Sequence, residues 1–291
     1  MKMIKYCCCP AFLVAIAGPW LSIHGAVLVE DVIVQQLTNY IWIGGYPDDA
    51  EQLNFVARVL AALGKGITEL EQFYAALNCC IDPQRFFPFI QEYPAGDRVV
   101  KFVYKSYLKR TEDSCSKPIF LAETETSESA AVKEKIVVKF VRRYNAKAHR
   151  LLADINLAPK LLYCSADDPN APDLRDLIMV VMEWVEGKTA QDLFALQVLP
   201  KCILKQVKQA IEVLHENNIV FGDLRKPNIM LIPSLGSEQV TVKLVDFDWC
   251  GVHGEECYPK TLNDVEIRWH CEVKRGGIMK KLHDTHMMDN L

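Results

Sequence analysis

Two short stretches near the C-terminus constrain this chain more than any other feature. Residues 219–231 read I-V-F-G-D-L-R-K-P-N-I-M-L, and residues 244–251 read L-V-D-F-D-W-C-G. Asp223 and Asn228 stand five positions apart between apolar runs. Asp246 closes another apolar run eighteen positions after the Asn. Alone, an Asp and an Asn in a turn containing Gly and Pro read as turn formers. The surroundings change that reading. Ile203, Val207, Ile211 and Leu214 recur at helical spacing just upstream, His215-Glu216-Asn217-Asn218 forms the polar end of that helix, and short apolar runs bracket both stretches. This layout suits phosphoryl transfer. Such a site needs a carboxylate to accept the proton of an attacking hydroxyl, and an amide oxygen with a second carboxylate to hold magnesium against ATP phosphates. Asp223, Asn228 and Asp246 suit those roles in that order.

The two stretches resemble the catalytic loop and the metal-binding motif of the protein-kinase-like superfamily, H-R-D-x-x-x-x-N and D-F-G. Phe221 and Gly222 replace the His and Arg, which brings the pattern nearer the H-G-D-L form of aminoglycoside, choline and RIO-type kinases. Without that Arg, the usual docking partner of a phosphorylated activation loop is missing. Asp248 replaces the Gly of D-F-G, so the backbone after the metal-binding Asp is less free to swing.

The resemblance implies further parts upstream. Residues 134–143, E-K-I-V-V-K-F-V-R-R, match the strand whose Lys steadies the α- and β-phosphates, with Lys139 in that role. Taken by itself, Lys139 also reads as a surface residue of an amphipathic strand. Its apolar neighbours Val137, Val138, Phe140 and Val141 instead suggest a buried segment in which a Lys needs a partner. Residues 178–187, I-M-V-V-M-E-W-V-E-G, resemble the strand and hinge that face adenine. Met182 would be the gatekeeper, and Glu183, Trp184 and Val185 the hinge. Gly187 and a capping Thr189 lead into a helix containing Leu193 and Phe194.

Two parts of that pattern are missing. The connection K-R-T-E-D-S-C-S-K-P, between strands expected at 101–108 and 118–124, contains no Gly to bring backbone close to phosphate. The helix expected at about 145–155 contains no Glu to pair with Lys139, because Ala146 and Lys147 occupy the corresponding place. His149, Asp154 or Asp246 is therefore expected within reach of Lys139, with Asp246 favoured.

Composition is consistent with a sizeable core: half of the 291 residues are hydrophobic. A net charge of −4 offers no basic patch for nucleic acid. The eleven cysteines are odd in number and show no paired C-x-x-C spacing, which points to free thiols in a reducing compartment and a cytoplasmic protein. Residues 7–23 are nearly uncharged and follow Lys2 and Lys5, imitating a secretory signal. Pro10, Gly18, Pro19 and Trp20 break that run, so retained strands are expected rather than a cleaved leader or a membrane span. Cys7 to Cys9 read as buried strand cysteines in preference to palmitoylation sites.

Residues 48–77 carry a helical stripe of Leu53, Val56, Leu60, Leu63, Ile67, Leu70 and Tyr74, read as core, with Asp48 or Asp49 as cap and Gly64 and Gly66 as a point of division. With G-P-W and Q-Q-L-T-N-Y-I-W before it, this region is similar to the N-terminal extension of compact kinase-like proteins of mushroom-forming fungi. Few residues follow Gly251, and there is no A-P-E. His270 and His283 fit no ligand-spacing rule and read as structural.

The expectation is an α+β, two-lobe protein-kinase-like fold with a compact C-lobe. Its parts are an N-terminal extension over 1–97 packed on the small lobe, an N-lobe over 98–186 and a C-lobe over 187–291. The resemblance implies an ATP- and magnesium-dependent phosphotransferase acting on protein Ser or Thr, with Asp223, Asn228 and Lys139 catalytic and Asn228 and Asp246 holding metal. A small-molecule kinase and a nucleotide-binding pseudokinase are the alternatives.

Overall fold

The computed structural model describes residues 6–28, 32–44, 50–77, 87–108, 118–125, 133–172, 174, 176–233 and 240–291. The Gly-free connection over 109–117, the capping candidates Asp48 and Asp49, and Cys79, Cys80 and Cys115 lie outside them. The protein is a mixed α+β structure with several antiparallel sheets, divided into two units, Met1–Ile90 and Gln91–Leu291.

In the first unit, strands β1 (Ala11–Ala17), β2 (Trp20–Leu28), β3 (Val32–Gln36) and β4 (Ile41–Trp42) form an antiparallel sheet in which β2 pairs with the other three. The Gly18-Pro19 pair that interrupts the N-terminal apolar run is the turn joining β1 to β2, and Gly18 takes φ +57°, a conformation open to a residue without Cβ. Cys7 to Cys9 precede β1 instead of lying in a strand, and only Cys7 is buried. Helix α1 (Ala50–Ala75) runs unbroken through Gly64 and Gly66. Gly66 has a packing role instead, since a Cβ there would lie 2.8 Å from the Phe12 ring of β1. The expected core stripe is not buried. No residue of α1 is buried, and Leu53, Leu60 and Ile67 are exposed. Val56, Leu63, Leu70 and Tyr74 are half-buried, and the Tyr74 hydroxyl donates to the Pro10 carbonyl at 2.7 Å.

The second unit opens with β5 (Glu92–Ala95) and β6 (Arg98–Tyr107), paired as a hairpin through Gly96 at φ +65°. That pairing draws residues 91–97 into the second unit, ahead of the expected boundary at 97. There follow β7 (Ile119–Thr124), β8 (Lys135–Val141), helix α2 (Ala146–Asp154), β9 (Leu161–Cys164) and β10 (Ile178–Glu183). The six strands form one sheet in the order β5-β6-β7-β8-β10-β9. Strand β8 is internal, with Lys139 opposite Ile119 of β7 and Val180 of β10.

Beyond the sheet come β11 (Lys188–Thr189), α3 (Ala190–Phe194), α4 (Lys201–Glu216), β12 (Ile219–Val220), β13 (Ile229–Pro233), β14 (Val240–Leu244), β15 (Gly251–Val252) and α5 (Lys281–Asp289). Thr189 caps α3 as expected, within a reciprocal capping box with Asp192. Helix α4 buries Ile203, Val207, Ala210, Ile211 and Leu214 against Phe221, Leu224, Ile229, Val242 and Leu244. The same apolar cluster thus supports the loops on either side of β12 and β14. Among the described residues all cysteines are free, and no helix is long and apolar enough to cross a membrane. Leu214 is wholly buried. Leu214→Ala is expected to lower unfolding free energy by about 2–5 kcal/mol, read from urea titration with an unchanged slope.

Candidate functional site

The β13–β14 hairpin brings the separated polar residues together. Its ladder pairs Ile229 with Leu244, and the Val245 amide donates to the Asn228 carbonyl at 3.0 Å. Asn228, just before β13, therefore sits beside Asp246, just after β14. Asp246 takes φ +72°, in the left-handed region that costs a residue with a Cβ of order 1–3 kcal/mol. Within the preceding loop, Asn228 Nδ2 donates to both the backbone oxygen and Oδ2 of Asp223, each at 2.8 Å. Its Oδ1 is buried and accepts no hydrogen bond among the described residues. Arg225 grips the Asp223 carboxylate with both arms, Nε to Oδ1 at 2.5 Å and Nη2 to Oδ2 at 2.8 Å, and its guanidinium lies 5.8 Å from the Trp269 ring centre.

The loop itself is pinned from below. Asp284 of α5, 1% exposed, accepts from the Phe221 and Gly222 amides at 2.7 and 2.9 Å and pairs with His215 Nε2 at 3.0 Å. Gly222 has φ +80°, a conformation that favours Gly, and a Cβ there would also make the Met279 methyl shift from 2.2 Å.

Lys139 is 3% exposed. Its ammonium contacts Asp246 Oδ1 at 2.5 Å and, equally closely, Asp248 Oδ1, while the Tyr144 ring centre lies 5.8 Å away. The expected Asp246 partner is present. The other two candidates are corrected. Asp154 is exposed, and His149 is wholly buried with both ring nitrogens engaged, Nδ1 with the Tyr144 hydroxyl at 2.6 Å and Nε2 with the Pro159 carbonyl at 2.7 Å. A carbonyl only accepts, so Nε2 carries a proton, and with the ring neutral Nδ1 accepts from the Tyr144 hydroxyl. Burial, with the nearby Lys139 charge adding to it, pushes the His149 pKa down to about 4 despite the Pro159 bond. His149 also stacks on Phe247 at 4.5 Å, and Phe247 meets Phe221 edge-on at 5.7 Å.

The gatekeeper candidate Met182 and the hinge candidates Glu183, Trp184 and Val185 line one cleft of about 260 Å³ together with Lys139 and Asp246. Val137, Ile119 and Met230 supply apolar walls. The Glu183 and Trp184 amides are taken up by the Lys160 and Lys135 carbonyls at 3.0 and 3.2 Å, which fixes the strand end. The Glu183 side chain pairs with Lys243 at 2.7 Å, turned to structural use.

Chemically, a buried orphan oxygen on Asn228 stands with three carboxylates (Asp223, Asp246 and Asp248) against two cations (Lys139 and Arg225). The formal excess is one negative charge, and a hard cation supplies what both features lack. Magnesium suits such a set because it takes one or two protein oxygens and fills its shell with water and phosphate. Among the described residues no group of three or more His, Cys, Asp and Glu could hold a metal ion. No protein-family model matches the chain, and no curated protein matches its sequence. Motif reading overlooked Asp248, Arg225 and Asp284. Asp248 was legible only as a departure from D-F-G, and Asp284 lies 62 positions from Gly222 in the chain.

Two outcomes follow from this geometry. Gly222→Ala is expected to destabilise the protein by about 2 kcal/mol or more, visible as a lower melting temperature. For His149 the folded pKa lies below the unfolded 6.5, so the unfolded chain binds the extra proton between those values. Stability from this group is complete above pH 6.5 and declines as pH falls toward 4, by about 3 kcal/mol in all. Urea titrations across pH 4–7 should show a shallower acid loss in His149→Gln than in the parent; parallel curves would contradict the neutral assignment.

Proposed function

We propose that the chain is an atypical member of the protein-kinase-like superfamily, a phosphotransferase moving the γ-phosphate of ATP to a hydroxyl. In this reading the six-stranded sheet with α2 is the small lobe, and the elements from β11 onward form a compact large lobe. Adenine would lie against Met182, with the backbone of Glu183, Trp184 and Val185 as its edge. Val185 makes no backbone hydrogen bond among the described residues, which leaves its amide and carbonyl for a base. Lys139 would hold the α- and β-phosphates. Asn228 Oδ1 and Asp246 would hold magnesium, whose chemistry when bound is charge neutralisation on the phosphate oxygens.

Asp223 would orient the acceptor hydroxyl and take its proton. Its carboxylate keeps acceptor capacity beyond the Arg225 and Asn228 bonds, since two oxygens offer about four lone-pair sites. Catalysis would be positioning and electrostatics, with no covalent enzyme intermediate. The observation that carries this reading is the buried Lys139–Asp246 pair lining one cleft with Met182 to Val185, with the orphaned Asn228 Oδ1 on the adjoining loop.

A protein Ser or Thr is the acceptor class proposed. A small-molecule acceptor is the second reading, favoured by the F-G-D-L form of the loop. Transfer to small alcohols in a screen that leaves proteins unlabelled would select it.

Calorimetry tests the site. ATP is expected to bind at least about tenfold more tightly with magnesium than without, and Asp246→Asn should abolish that difference while the fold persists. Absence of ATP binding under both conditions would reject the proposal. Magnesium-dependent binding without transfer to any acceptor would leave a pseudokinase.

A further inference from the structure

We infer that Asp248 is a positioning residue that does the work of the missing helix carboxylate, holding Lys139 from within the metal-binding loop. Lys139 is buried and its ammonium is closed between Asp246 and Asp248. Helix α2 supplies no charge to it: Ala146 is buried, Lys147 faces solvent, His149 is engaged at both nitrogens, and Asp154 is exposed. The carboxylate that orients the lysine therefore comes from the residue two positions after Asp246.

The consequence is a division of labour within three residues. Asp246 pairs with the lysine, and its neighbour Val245 donates its amide to the Asn228 carbonyl. Phe247 ties the loop to α2, since its carbonyl accepts from the Asn145 amide at 3.2 Å and its ring stacks on His149. Asp248 keeps the lysine from being consumed by Asp246 alone, so that Asp246 retains charge to share with a cation. Lysine orientation then depends on the loop that carries the metal-binding Asp. Helix α2 acts on the lysine only through this loop, by way of the Phe247 contacts.

The consequences for nucleotide rest on the phosphotransferase reading; the pairing itself does not, and the two are separated by a double-mutant cycle of Asp248→Asn and Lys139→Met read twice. Thermal melting without ligand reads the pair. Asp248→Asn is expected to be more favourable in the Lys139→Met background than in the parent by about 3 °C or more, because only in the parent does it take a counter-charge from a buried ammonium. Additive shifts would overturn the inference. If Asp248→Asn alone does not fold, recovery of folded protein in the double variant gives the same support, and failure of the double variant while Lys139→Met folds counts against it.

Calorimetry with MgATP and with metal-free ATP reads the role. Asp248→Asn is expected to weaken MgATP binding about tenfold in the parent and to add no loss once Lys139 is Met. A loss confined to MgATP that persists in Lys139→Met would make Asp248 a metal ligand and overturn the positioning role. A parent that binds no nucleotide while the melting cycle is coupled would reject the phosphotransferase reading and keep the pairing.

Discussion

A buried ammonium organises the second unit. Lys139 sits on an internal strand of a six-stranded sheet, and a charge taken out of water there is tolerated only with close counter-charges. Asp246 and Asp248 supply them, and both lie on the loop after β14. The sheet is therefore tied to the β13–β14 hairpin by electrostatics as well as by packing. Such a buried cluster is weak evidence for stability, because desolvation offsets much of the attraction. Its better-supported consequence is geometric: it holds three ionic groups in a single small volume.

Around that cluster the structure is cross-braced by groups that have no role in the proposed chemistry. Phe221, Phe247 and His149 form a buried aromatic column joining the loop after β12, the loop after β14 and helix α2. The Asp284 carboxylate satisfies two loop amides that would otherwise be stranded in the core, where an unmet donor costs roughly 1–3 kcal/mol. These contacts fix where Asp223 and Asn228 point. The left-handed backbone at Asp246 is the local strain that such bracing sustains.

Much of the site was legible because its residues report themselves locally. A Lys inside a β-branched run and a Thr ahead of a helical stretch carry their structural meaning within a few residues: Lys139 is buried with Asp246 as partner, and Thr189 caps α3. What escaped depended on partners distant in sequence. Asp248 becomes meaningful only when β8 lies against its loop, 109 positions away. Asp284 needs α5 beneath the catalytic loop. The stripe on α1 shows the other limit: helical periodicity marks an apolar face without saying whether anything covers it, and Leu53, Leu60 and Ile67 stand exposed. The domain boundary moved because a tight Gly96 hairpin, not composition, decides where β5 belongs.

The central claim is that Lys139, Asn228 and Asp246 together form a site for a magnesium-bound nucleotide. A crystal structure with magnesium and a non-hydrolysable ATP analogue tests it most directly. The account predicts a metal ion coordinated by Asn228 Oδ1 and Asp246, phosphate oxygens within reach of the Lys139 ammonium, and the base against Glu183 to Val185. Analogue bound elsewhere, or a metal that leaves Asn228 Oδ1 uncoordinated, would contradict it.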